Sequence, residues 1–175
     1  MKYMKRIFAL CMALLLVCSF AAAEEAMTDY NVKQFSYKLW SDWSLVEKDE
    51  TTHYHYKDNQ QNAGAGYIFV QIQSLDASAL DLTDPVMQEL VLNMLVGKLA
   101  DSLETEFTGQ MATYGSVTGW AFQGPWPSQN CNIAGFVCND GGDILFVMYA
   151  DDHTDIDTLF ATLTEEIIPT IVIGK

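Results

Sequence analysis

The sequence predicts an α+β domain: an antiparallel sheet of about six to seven strands with a long central helix and a C-terminal helix packed on it. Three observations predict it. Segments alternating between apolar and polar residues recur on both sides of the middle of the chain. Between them, Asp84 to Gly109 carries a helical period, with a start signal and a stop signal. A second amphipathic stretch, Thr154 to Ile168, closes the chain before Pro169.

In the central stretch, Asp84 is placed to cap, and Pro85 stands at the first helical position, where its missing N–H removes no bond. Gly109 is the expected stop, because glycine enters the left-handed conformation without a Cβ clash. Leu92, Val96, Leu99, Ala100, Leu103 and Phe107 recur at a period of about 3.6 and predict the face on the core. Lys98, Asp101, Ser102, Glu104, Thr105 and Glu106 occupy the opposite arc of the second half. In the first half, Val86, Leu90 and Met94 form a second apolar row on the side that is polar further along. The ordinary expectation is that another segment of the chain covers this row. The sharper one is an exposed patch that binds a partner or makes a homodimer.

The strands follow in order. Phe35, Tyr37 and Leu39 alternate with Ser36 and Lys38, and the chain turns at Trp40 to Trp43. Ser44 to Lys48 is a short strand. Thr51 to Lys57 is the next, with Tyr54 and Tyr56 on one face and His53 and His55 on the other. A polar loop, Asp58 to Gly64, precedes the strand Gly66 to Ser74. After the helix, Met111 to Phe122 is a bent strand interrupted by Gly115 and Gly119. Gly124 to Asn130 is a loop, because Pro125 and Pro127 flank Trp126. Asn132 to Cys138 and Ile144 to Ala150 form a hairpin about Asn139 to Gly142. Ile156, Leu159, Phe160, Leu163 and Ile167 make the apolar face of the closing helix.

Residues 1–23 have the pattern of a secretory signal peptide: basic Lys2, Lys5 and Arg6, an apolar run from Ile7 to Phe20, then Ala21, Ala22 and Ala23 before the cut. Leu10 and Val17 precede Cys11 and Cys18, where a lipoprotein signal needs a small residue, so no lipid anchor is expected. Residues 24–32 are expected to be a flexible terminus and 33–175 a single domain. Without the leader, six basic residues face 23 acidic ones, a net charge of −17. Such a surface repels phosphate backbones and anionic membranes, which argues strongly against nucleic acid as a partner. No later run approaches the ~20 apolar residues of a membrane span. Cys131 and Cys138 are seven residues apart on one strand. If Ile133 to Val137 is a continuous strand, they lie on opposite faces and more than about 20 Å apart as two unpaired thiols, and a bridge would need a turn at Ala134-Gly135.

The opening Phe35-x-Tyr37-x-Leu39 strand followed by Trp43, the mid-chain helix, the late hairpin and the closing Ile167-Ile168-Pro169-Thr170-Ile171 resemble the PsbP/Mog-type fold. That fold is found in extrinsic photosystem subunits, a Ran-binding protein and small exported bacterial proteins of unknown role. Trp40-Ser41-Asp42-Trp43 lacks the proline that this family often places before the tryptophan. The resemblance implies a fold, and it carries over no functional residue, cofactor or activity.

Few residues suggest chemistry. His53 and His55 share a strand face, as metal ligands can, with His153 as the other histidine; two imidazoles on the wet face of an edge strand is the ordinary expectation. Asp151, Asp152, Asp155 and Asp157 collect where a helix begins, as capping and the helix dipole favour. Trp126, between two prolines, is the candidate exposed aromatic and interface anchor. The sequence has no nucleophile elbow, phosphate-binding glycine loop or metalloprotease motif, and its only arginine, Arg6, lies in the leader. The expected function is therefore an exported, non-catalytic module, secreted or in the bacterial cell envelope. It would use no cofactor and would bind a protein or peptide through Trp126, Val86, Leu90 and Met94. A small-molecule or metal binder using His53, His55 and nearby acidic residues is the alternative.

Overall fold

The computed structural model describes residues 26–57, 69–78, 82–140 and 142–174. The leader, the polar loop at 58–64 and the turn residue Gly141 lie outside the described residues. Among those described, the strands are β1 (Met27–Val32), β2 (Phe35–Trp40), β3 (Trp43–Asp49), β4 (Thr52–Lys57), β5 (Phe69–Asp76), β6 (Thr108–Tyr114), β7 (Val117–Trp126), β8 (Cys131–Asn139), β9 (Asp143–Asp151) and β10 (Val172–Ile173). The α-helices are α1 (Pro85–Leu103) and α2 (Ile156–Thr162). A π-helical turn, Leu163–Ile167, and a 3₁₀ turn, Ile168–Thr170, extend α2.

The expected α+β class, with one sheet around a long central helix, does not hold. The protein is mostly β: one antiparallel sheet has the order β1-β2-β10, and a second has the order β3-β4-β5-β9-β8-β7-β6. Three features raise the strand number. Residues 27–32, expected to be flexible, pair with β2 from Met27 opposite Trp40 to Val32 opposite Phe35. The expected bent strand at 111–122 is instead the β6–β7 hairpin, which turns at Gly115 with φ +58. The short β10 pairs with the other side of β2. β7 also runs through Pro125 to Trp126, where a loop is expected. β6 begins opposite Gln123, so beyond that point β7 has no strand partner on this side among the described residues, and a proline there breaks no ladder.

The seven-stranded sheet joins two meanders, β3-β4-β5 and β6-β7-β8-β9, where β5 pairs with β9. α1 connects β5 to the edge strand β6 and packs over β7 and β8 on one face. Its start is as expected: the Asp84 side chain accepts from the N–H groups of Val86 and Met87, with Pro85 at the first turn. It ends early, because Glu104 takes the left-handed conformation at φ 52, and Gly109 lies in β6.

The central strands β8 and β9 of the large sheet are buried on both faces and are therefore apolar on both sides. On β9, Leu145, Val147 and Tyr149 enter one core cluster, with Phe35, Tyr37, Leu39, Trp43, Leu159, Leu163 and Ile167. Ile144, Phe146, Met148 and Ala150 enter the other, with Leu92, Val96 and Phe122. The first cluster fills the space under the small sheet and α2, and the second the space under α1. A Cβ at Gly135 would sit 2.0 Å from the Phe122 ring, so this glycine is required for the cross-strand aromatic to lie over β8. Cys131 and Cys138 are buried, unpaired and in different clusters, as a continuous strand dictates.

Candidate functional site: an exposed apolar face on α1

Two rows run along α1. Leu92 and Val96 are buried, and Leu95, Leu99 and Leu103 pack partly buried against the same cluster. The opposite row faces outward. Val86 is 75% exposed, Leu90 59%, Met94 49% and their neighbour Met87 46%. The expectation that another segment covers this row is not met among the described residues. These four side chains are the large apolar groups that α1 leaves in water, and they form one contiguous stretch rather than scattered singles. Glu89 and Asn93, both exposed, border it.

Trp126 is not the exposed anchor expected. Because β7 continues through Pro125, its ring packs partly buried against the cluster under α1, some distance in sequence from the outward row.

His53 and His55 do not stand on a wet face. The small sheet folds over β4 and brings Tyr37 between them: Tyr37 Oη lies 2.7 Å from His53 Nδ1 and 2.8 Å from His55 Nε2. His55 is 0% exposed, and the Tyr30 ring stands edge-on to it at 4.6 Å. His55 Nδ1 is buried without a partner among the described residues. A lone pair is cheaper to leave unpartnered than an N–H, so the network assigns the proton of His55 to Nε2. That N–H donates to Tyr37 Oη, and the Tyr37 O–H donates to His53 Nδ1. Burial holds the His55 imidazole down at about 4, and His53 beside it adds to the effect. Burial, with Tyr30 adding, raises the Tyr37 phenol well above its ordinary value. Both links of the cluster thus run through the Tyr37 hydroxyl, and the His55 ring is held neutral. His153 is elsewhere, on the turn after β9, with Nδ1 3.3 Å from Asp152 Oδ1. The structure does not bring the three histidines together, and no group of three or more His, Cys, Asp or Glu that could hold a metal occurs among the described residues.

The acidic stretch at 151–157 is taken up locally. Asp155 accepts from the Thr158 N–H and caps α2, and Asp151 accepts from the His153 and Thr154 N–H groups. A cavity of about 160 Å³ lies beside Trp40, Trp43, Tyr149, Asp42, Lys57 and Glu166. A shallower one of about 250 Å³ lies beside Gln110, Gln123 and Phe160. Both are smaller than the ~300–1,000 Å³ of typical small-molecule sites. Sequence reasoning missed Tyr37 as the residue that joins the histidines, and Met87 as a member of the outward row. Only helical phase could have signalled Met87, which lies one turn before Leu90 and two before Met94.

The comparisons bear on fold alone. No family model and no curated protein matches the chain. It is similar to a crystal structure of a Bacteroides thetaiotaomicron VPI-5482 protein solved at 1.50 Å, with a TM-score of 0.52 and 15% identity. The match covers 85% of this chain and 48% of that one, so this chain spans about half the length of that structure.

Proposed function

We propose that the protein is an exported, non-catalytic module that docks a protein or peptide partner on the outward face of α1. The observation that carries this reading is the contiguous exposure of Val86, Met87, Leu90 and Met94, on the side of the helix opposite its own core contacts. Burying such side chains contributes roughly 1.5–3 kcal/mol each before association costs are subtracted, enough to anchor a helical segment. The leader pattern supports export. The buried titratable groups support a structural rather than catalytic use, since Tyr37, His53 and His55 bond one another beneath the small sheet. No helix of the described residues is long and apolar enough to cross a membrane.

The test is a labelled, uncharged amphipathic helix with a leucine stripe and a glutamine face, titrated against the protein and against Leu90→Glu. The protein should bind it. The variant should stay folded with an unchanged melting temperature and bind at least about tenfold more weakly, because a carboxylate then interrupts the apolar row. Equal binding by both proteins, or binding by neither, would remove the reading.

A further inference from the structure

The outward face of α1 also specifies the chemistry of what docks there, an inference that rests on the docking reading above. At about 3.6 residues per turn, Gly97 and Asp101 continue the stripe of Val86, Leu90 and Met94, and Glu104, the left-handed residue that ends α1, follows one turn on; all three are exposed. The stripe is therefore apolar over its first half and acidic over its second. The only basic residue of α1, Lys98, lies to one side of it. Gly97 stands where the two halves meet. A mid-helix glycine weakens a helix relative to alanine, and none of the described residues requires one here. A Cβ at Gly97 would meet nothing within 4 Å among the described residues, and its φ is not positive. Gly135, by contrast, has an aromatic ring against it. An exposed glycine in the middle of an outward stripe lets a second backbone approach closely.

We propose that this stripe seats a helix of a partner protein, apolar along one half and basic along the other, crossing α1 at Gly97. A second copy of this chain does not fit. Antiparallel pairing about Gly97 sets Glu104 against Leu90, and parallel pairing sets Asp101 against Asp101. The formal charge of −14 on the whole chain adds repulsion between copies.

The experiment uses the purified protein and two labelled synthetic helices, each with a leucine stripe over its first half. One continues that stripe with lysine and the other with glutamate. The lysine peptide should bind more tightly by at least about tenfold. The double change Asp101→Asn with Glu104→Gln should bring the two affinities together. Gly97→Leu should weaken the lysine peptide by a similar factor with no loss of melting temperature, and Gly97→Ala by less. If the glutamate peptide binds equally well while Leu90→Glu loses both, the docking face stands and the basic partner is wrong. If Leu90→Glu changes neither affinity, the face itself is wrong, and this proposal falls with it. Undiminished binding by Gly97→Leu would overturn the crossing point.

Discussion

Tyr37 shows what a single hydroxyl does in this core. It accepts from one imidazole and donates to another, and removing it takes one hydrogen bond from each ring. Tyr37→Phe should therefore destabilise the protein by about 1–3 kcal/mol for each buried hydrogen bond lost, read from urea melts. The pH dependence follows from His55. Its folded-state value, about 4, lies below its ordinary 6.5, so between those values the unfolded chain binds a proton that the folded one does not. His55's contribution is full above about pH 6.5 and falls as the pH drops toward 4, below which it changes no further. At about 1.4 kcal/mol per pH unit, the loss is roughly 3 kcal/mol. NMR titration should find the His55 ring still neutral at pH 5.5; a ring that titrates near its ordinary value would contradict the buried network. The two thiols are a further residue-scale case. Burial, reinforced by nearby carboxylates, pushes Cys131 up to about 11 and Cys138 up to about 12. Neither should react with a thiol reagent at neutral pH in the folded protein, and both should react after unfolding in urea.

α1 has two faces that should respond oppositely to mutation. Leu92 is 0% exposed under the helix, and Leu92→Ala should cost about 2–5 kcal/mol. Leu90 points into water, and Leu90→Glu should move stability by less than about 0.5 kcal/mol. Thermal melts of the pair check this. A large drop for Leu90→Glu would mean that the row is covered after all. Gly97→Ala should raise stability by up to about 1 kcal/mol, because alanine is the better helix former and has room for its methyl group. The remaining element-scale lesson is Pro125. A proline signals a loop only when its N–H position faces a neighbouring strand, and here β6 has not yet begun.

At the scale of the whole molecule, the large sheet is the organising element, because it alone contributes to both core clusters. The small sheet is held to it at several points. Under it lies the Tyr37 network; at one tip, Lys33 Nζ lies 3.3 Å from Asp143 Oδ2, and Gln34 donates to Asp140 and Asp143. The β1–β2 hairpin is thus tied to the β8–β9 turn. The ion pair is partly exposed and contributes little by itself, so Lys33→Ala should change the melting temperature only slightly. Tyr37→Phe should change it much more. The reverse order in thermal melts would place the inter-sheet attachment at the hairpin tip rather than in the core.

The sequence by itself determined the local features whose causes are local. Asp84 and Pro85 start α1 because capping needs only neighbouring N–H groups. The period of two on β4 puts the tyrosines and the histidines on opposite faces whatever packs there. Seven residues on one strand separate Cys131 from Cys138. Only the tertiary structure decided how the faces are used. β1 reads as a loose polar terminus because its order comes from a ladder with β2, not from its own apolar pattern. The histidines read as wet because nothing near them in the chain says that Tyr37, on another sheet, will close over them. Helical phase marks Val86, Leu90 and Met94 as a row, but whether that row meets protein or water depends on which other segments reach the far side of the helix. A long-range arrangement decides that, and among the described residues it leaves the row exposed.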